Sequence, residues 1–483
     1  MVTIEQLSRW LISIEGLTLF GNIRKHWTIH KFINLCETLL GIEIEQSPVI
    51  SLAQQRNLAR AWAEFAEALF LDIDPKHPFI DWETHIVTLV LGDENPFTLA
   101  LEHNTPDKLP QAMLALAKSD LDRLKELASI DTNLLAETVS DLINIVHEAA
   151  LSHVAIISEP ADMNNSDRNF RAVSNPHHFW QQLLVPTQPW SASIDAFGQW
   201  IHTHGAGILS QHHAFIWKHQ HKISKSLMAE DYLSPVINAD TVSLNDLSGY
   251  DEQRSVVLEN TRRFVEGKAV NNLLLYGDRG TGKSATVKAV CRAFADRGLK
   301  LIEVRKRDLM HFETIAEIIS SRGLKFVLFI DDLSFEETDD TFTGLKALLE
   351  GGLERRPSNM VIYATSNRRH LVKEHFADRP TTAMAAEAQA TGDVRAFDTM
   401  QEQLSLADRF GVTVVFTTPT QEEYLAIAEA IAARRGLLPQ GDLARQQFRQ
   451  NALRWERWFN GRSPRTAQQF VDWLSGGKGF PWE

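Results

Sequence analysis

Through the first third of the chain, apolar residues recur at three- and four-residue spacing, notably over 32–40 and 58–71. That is the periodicity of amphipathic helices. The run Asn57-Leu-Ala-Arg-Ala-Trp-Ala-Glu-Phe-Ala-Glu-Ala-Leu-Phe70 is the clearest case. Its Trp62, Phe65 and Phe70 are expected in a core, the usual place of an aromatic stripe. Residues 1–155 therefore read as a helical domain, and nothing in them has catalytic spacing. Further on, the pattern changes to short, mainly apolar runs: 273–276, 299–304, 325–330, 360–365 and 412–416. Runs of this length predict strands buried on both faces. Between them, helices are predicted over 254–265, 285–297 (closed by Gly298), 309–321 (ended by Gly323) and 341–354. Strands alternating with helices build a parallel sheet covered on both faces, with ligands at the carboxyl ends of its strands.

The polar residues at those strand ends carry the chemistry. After the first strand comes Gly277-Asp278-Arg279-Gly280-Thr281-Gly282-Lys283-Ser284-Ala285. Strand, glycine loop and helix form a phosphate-binding arrangement, in which backbone N–H groups converge on phosphate and the helix N-terminus adds its dipole. Lys283 supplies a point charge and Ser284 a hydroxyl for Mg²⁺. A second apolar strand, 326–330, ends in Asp331 and Asp332. Asp331 suits Mg²⁺ through water and Asp332 suits polarisation of an attacking water. Glu336 and Glu337 follow closely, so the identity of the base stays open. A third strand ends at Asn367, whose amide can orient water or cap a turn. Arg409, in Ala407-Asp408-Arg409-Phe410, stands before the last strand. It can reach a neighbouring subunit's nucleotide or pair with Asp408. Near the end, Ser463 and Pro464 are suited to open a helix, which places Arg465 at its head.

Bulk properties narrow the field. A chain of 483 residues exceeds one compact core. A formal charge of −13 opposes a broad grip on nucleic acid, and no helix-turn-helix, zinc finger or basic stripe supports that partner. Two distant cysteines, Cys36 and Cys291, predict no disulfide framework and favour a reducing compartment. No apolar run reaches the length of a membrane span and no basic-then-apolar leader opens the chain, so a cytoplasmic protein is expected. Eight of eighteen histidines fall within 175–221: His177, His178, His202, His204, His212, His213, His219 and His221. They are accompanied by Trp180, Trp190, Trp200 and Trp217. Without a cysteine or a helical His-x-x-x-His pattern, closed metal coordination lacks support, and packing against the tryptophans is the plainer reading.

The five stations, in this order, resemble an AAA+ ATPase. The pieces Leu-Leu-Leu-Tyr-Gly-Asp-Arg-Gly-Thr-Gly-Lys-Ser, Tyr-Ala-Thr-Ser-Asn-Arg-Arg-His-Leu and Leu-Ala-Asp-Arg-Phe-Gly look like an uncharacterised bacterial domain-of-unknown-function family of such P-loop proteins. The resemblance implies an α/β P-loop NTPase: an αβα core over 236–418 with a parallel five-stranded sheet in order 5-1-4-3-2, then a helical lid over 419–483. A helical domain over 1–155 and a His/Trp-rich linking or capping segment over 156–235 precede them. It further implies ATP and Mg²⁺, adenine contacts near 247–250, Asn367 as first sensor, Arg409 as a finger acting in trans, and Arg465 as second sensor. Two departures stand out. Asp332 replaces the Glu of many motors, as in the initiator and loader branch. The segment 305–312 lacks the aromatic-apolar-Gly pore loop of threading unfoldases.

The expected function is thus Mg²⁺-dependent ATP hydrolysis coupled to conformational change in an assembly or partner, with a nucleotide-dependent homo-oligomer. The alternative is a binding switch that holds ATP, hydrolyses it negligibly and recruits a protein through the amino-terminal half. A small-molecule kinase shares the phosphate loop but needs neither Arg465 on a separate lid nor the Asn367 strand tip.

Overall fold

A computed structural model describes residues 1–42, 51–71, 82–143, 188–218, 229–237, 242–333, 357–367, 410–459, 461–477 and 480. Arg409, Glu336, Glu337, the helix expected over 341–354, His177, His178, His219, His221 and Trp180 lie outside the described residues. By contacts the chain divides into two units, Met1–Gln211 and His212–Glu483.

The first unit is helical: α1 (Ile4–Glu15), α2 (Trp27–Leu40), α3 (Leu52–Leu71), α4 (Trp82–Gly92), α5 (Pro96–His103), α6 (Gln111–Ala128), α7 (Thr132–Ile143) and α8 (Ile194–His204). Start signals in the sequence set several of the ends. Thr3 and Gln6 form a capping box on α1, and Asn95 with Thr98 does the same for α5, where Pro96 takes the first helical position. The core gathers aromatic rings, with Phe32 centred 5.0 Å from Trp82 and 5.6 Å from Phe65. Trp62 and Phe65 are buried, but Phe70 is 50% exposed. The expectation for Phe70 is corrected: the buried stripe on α3 runs Leu58, Ala61, Trp62, Phe65, Leu69, and residue 70 falls about 100° around the helix from residue 69. Asp120 on α6 pins the turn after α1. Its carboxylate accepts the backbone N–H groups of Thr18, Leu19 and Phe20 and the Thr18 hydroxyl.

The second unit is built on a sheet of seven strands: β1 (Ala214–Trp217), β2 (Leu233–Pro235), β3 (Leu273–Gly277), β4 (Leu299–Glu303), β5 (Lys325–Ile330), β6 (Met360–Ser366) and β7 (Val412–Phe416). Their order is β2-β1-β4-β5-β6-β3-β7. All neighbours are parallel except β1 and β2. The expected five-stranded, wholly parallel sheet is corrected to a mixed sheet of seven. The added pair has a physical reason: the apolar run Ala-Phe-Ile-Trp of β1 covers the open edge of β4, and β2 in turn covers β1. Counted from β3 onward, the remaining strands lie in the order 5-1-4-3-2. The helices flanking these strands are α9 (Asp251–Val265), α10 (Lys283–Ala293) and α11 (Phe312–Ser320).

Three further helices end the unit: α12 (Gln421–Arg434), α13 (Asp442–Trp458) and α14 (Pro464–Ser475). They close on a separate core containing Tyr424, Ile427, Phe448, Trp455 and Phe470. Thr420 and Glu423 form a capping box on α12, and Ser463 caps α14 by accepting from the Thr466 N–H.

The described histidines of the 175–221 stretch are His202, His204, His212 and His213. His204 stacks on Trp200 at 4.7 Å, while Trp190 and Trp200 are buried in the first unit. Burial holds His212 and His213 below the ordinary imidazole range. Among the described residues, no group of three or more His, Cys, Asp or Glu is gathered as for a metal ion. Also among them, no helix is long and apolar enough to cross a membrane.

Candidate functional site

The glycine loop links the end of β3 to the start of α10. Gly277 cannot carry a side chain: a Cβ there would lie 2.0 Å from the Phe416 carbonyl oxygen of the neighbouring strand. Its role is close packing of the sheet, which lets Asp278 N–H donate to that same carbonyl at 3.0 Å. Gly280 and Gly282 adopt left-handed conformations, φ 77° and 88°. They turn the chain into α10, whose first N–H groups have no partner within the helix and so face an anion with the positive end of its dipole.

Lys283 is buried, 5% exposed, at the base of this cradle. Its ammonium donates to the Gly277 carbonyl at 3.0 Å and the Asp278 carbonyl at 2.7 Å. Desolvation pulls its pKa down to about 8 against the opposing pull of Asp278, Asp332 and Asp331, with Arg465 adding to the depression. A lysine this poorly compensated gains from an incoming phosphate.

Ser284, one residue on, donates its hydroxyl to Asp331 Oδ1 at 2.6 Å. Parallel pairing of β5 with β6, Ile330 opposite Ala364, brings Asp331 beside Thr365. The Thr365 hydroxyl donates to the same Oδ1, again at 2.6 Å, and accepts the Asp332 N–H at 2.9 Å. Asp332 has φ 53°, an uncommon conformation for a residue with a side chain. Asn367 Nδ2 donates to Asp332 Oδ1 at 2.7 Å. Lys283, Ser284, Asp331, Asp332 and Asn367 therefore form one cluster at the carboxyl ends of β3, β5 and β6.

The helical end of the unit reaches the same loop. The Arg465 N–H lies 3.3 Å from the Gly280 carbonyl, and a Cβ on Gly280 would stand 3.0 Å from Ser463 Oγ. Arg465 is thus beside the phosphate loop with its side chain exposed. Arg279 is exposed on the loop's outer side, and the Thr281 hydroxyl donates to the Asp278 carbonyl. Asp278 accepts the Thr418 N–H at 2.9 Å and hydroxyl at 2.6 Å, tying the loop to the segment between β7 and α12. The stretch 247–250 is held from two sides: Tyr250 donates to the Thr417 carbonyl, and Arg434 of α12 donates to Ser248 and to the Asn245 and Asp246 carbonyls.

Thr365 and Thr418 were not among the residues singled out from sequence. Strand alternation could have found Thr365, because it lies two residues before Asn367 and so on the same face of β6. Thr418 has no such signal; its partner is set by tertiary packing.

The donor set suits the groups the motifs imply. Ser284 and Asp331 present hard oxygens from one side only, the partial shell of a cation that keeps several waters. Above them, the backbone cradle with its lysine suits a phosphate chain.

Comparison with known proteins adds a family and two partial structural similarities. Residues 210–478 match the family described as "Protein of unknown function (DUF815)". The resemblance drawn from the motifs, to an uncharacterised domain-of-unknown-function family, is borne out by that match. A solved RuvB variant of Thermotoga maritima is similar at 17% identity with TM-score 0.29, over 48% of this chain and 64% of that one. This chain therefore spans less than two thirds of that RuvB chain. A DnaI structure is similar at 20% identity with TM-score 0.25, over 37% of this chain and 89% of that one. No curated protein matches the chain.

Proposed function

With the chain belonging to the DUF815 family, whose description assigns no activity, we propose from the site that it is an AAA+ type, Mg²⁺-dependent ATPase coupling nucleotide turnover to conformational change in an assembly or partner. The observation carrying this reading is the meeting of three strand ends: a buried, desolvated Lys283 in a glycine cradle after β3, with the Ser284 hydroxyl and the Thr365 hydroxyl of β6 both donating to Asp331 at the end of β5, each at 2.6 Å.

In this reading the N–H groups of the loop and of the first turn of α10, from Gly280 to Ala285, hold the phosphates of ATP. Lys283 exchanges its two carbonyl acceptors for phosphate oxygens. Ser284 and Asp331 are the residues that hold Mg²⁺, which when bound neutralises charge developing on the transferred phosphoryl group. Asp332 accepts a proton from the attacking water, and Asn367, now on Asp332, orients that water. Arg465, at the head of α14 beside Gly280, reports the state of the phosphates to the lid. Arg409 is proposed, from sequence, to complete the site of a neighbouring subunit in a homo-oligomer, and the amino-terminal unit to engage a protein partner. A cytoplasmic setting belongs to the same proposal.

Phosphate release from ATP, measured with and without Mg²⁺, tests the reading. Lys283→Ala should abolish nucleotide binding, and Asp332→Asn should keep binding while losing most turnover. Mixing Arg409→Ala with Asp332→Asn should restore part of the activity if the arginine works between subunits. Wild-type protein that binds no ATP would end the proposal.

One observation favours the alternative, a switch that holds ATP without hydrolysing it. Asp332 Oδ1 is already taken by the Asn367 amide, and its backbone conformation is locked by Thr365. If the switch reading holds, Asp332→Asn will leave ATP-dependent partner capture intact while Lys283→Ala removes it.

A further inference from the structure

We infer that Thr365 is the positioning residue for the cation side of this site: its hydroxyl aims Asp331 and holds the backbone turn that presents Asp332. The inference rests on the Mg²⁺-dependent reading above and assigns a role that no motif there supplies.

A threonine hydroxyl has one hydrogen to donate and lone pairs to accept with. Thr365 commits both functions within one turn, donating to Asp331 Oδ1 at 2.6 Å and accepting the Asp332 N–H at 2.9 Å. Its carbonyl then takes the Leu333 N–H at 2.7 Å. Three successive residues of the β5 end are therefore clamped by a single residue of β6. The clamp is needed because Asp332 sits at φ 53°, a left-handed conformation that a side-chain-bearing residue adopts only under constraint.

Thr365 is 2% exposed and reaches the carboxylate from the end of β6. Ser284 approaches from the phosphate loop. If Ser284 turns a lone pair toward a cation, its hydrogen no longer needs to lie on Asp331, and Thr365 is left as the donor that keeps the carboxylate aimed. A valine at 365 has nearly the same shape but can neither donate to Asp331 nor accept from Asp332. A serine can do both.

The test is equilibrium binding of a fluorescent ATP analogue to the full chain, in Mg²⁺ and in EDTA, followed by Mg²⁺ titration at fixed nucleotide. Thr365→Val should raise the Mg²⁺ concentration for half-maximal binding about tenfold, the scale of one lost hydrogen bond to a charged group. Affinity in EDTA should stay within about twofold, and Thr365→Ser should return the Mg²⁺ requirement to the wild-type value. Equal weakening in Mg²⁺ and in EDTA would mean a merely structural role and overturn the inference, as would Thr365→Ser behaving like valine. Should Thr365→Val not fold, Thr365→Cys, a weak donor of similar volume, takes its place in the same measurement. Wild-type binding that ignores Mg²⁺ would instead overturn the underlying reading and the inference with it. Mg²⁺-dependent wild-type binding with an unchanged valine variant would overturn the inference alone.

Discussion

The depressed pKa of Lys283 makes ATP affinity a function of pH, and its sign can be worked out. In the free protein the ammonium titrates at about 8, chiefly because burial strips it of water. A bound triphosphate supplies negative charge at the same atom, so in the complex the lysine holds its proton to higher pH. Binding then takes up a proton whenever the free protein has lost it. Affinity should be level below about pH 8 and fall about tenfold per pH unit above it, so that by about pH 9 the dissociation constant has risen roughly tenfold, or about 1.4 kcal/mol.

Folding responds in the opposite direction. Unfolded chain binds this proton up to the ordinary lysine value of 10.5, so between about 8 and 10.5 the unfolded state carries more protons, and rising pH favours the folded state. Fluorescent-nucleotide titrations in EDTA across this range would report the affinity, with circular dichroism confirming that the protein stays folded. Lys283→Arg is the control, since a guanidinium keeps its charge and should give a flat profile. A wild-type dissociation constant that stays constant to pH 9 would refute the reasoning, and so would an arginine variant with the wild-type slope.

Three other substitutions test separate parts of the structure. Gly280→Ala places a methyl group 3.0 Å from Ser463 Oγ at a residue with φ 77°; it should cost about 1 kcal/mol in backbone strain, lower the thermal midpoint and weaken ATP binding several-fold by displacing the head of α14. Thr418→Val removes the hydroxyl that donates to Asp278 at 2.6 Å but keeps the N–H bond; a loss of about 1 kcal/mol in chemical denaturation is expected. Asp120→Ala leaves the N–H groups of Thr18, Leu19 and Phe20 without their buried acceptor; urea unfolding should show a loss of about 3 kcal/mol.

Much of this molecule can be read along the chain because its signals are local. Short apolar runs announce strands, and β5 and β7 begin and end at the residues the runs predict; burial on both faces holds for β5 but is corrected for β7, an edge strand that buries Val414 and Phe416 and exposes Thr413 and Val415. Ser463 followed by Pro464 opens α14 because cap and first-turn preferences act within four residues. The glycine loop, Lys283 and Ser284 are legible for the same reason: their geometry is set by a single strand-turn-helix unit.

What tertiary structure decided lies between segments distant in sequence. No local pattern says that the run at 214–217 joins the edge of β4, nearly ninety residues later, and turns an expected five-stranded sheet into seven. Strand order is a choice among edges of similar hydrophobicity, and it is made by global packing. Gly277 looks in sequence like one more phosphate-loop glycine, yet what forbids a side chain there is the Phe416 carbonyl of a strand some 140 residues on. Alternation puts Thr365 on the face of Asn367, but only when β5 and β6 lie side by side does its hydroxyl join the Asp331 carboxylate to the Asp332 N–H. Sequence alone names the groups that can do chemistry, because side-chain chemistry is intrinsic. Which of them meet within hydrogen-bonding distance is settled only when the sheet brings its strand ends together.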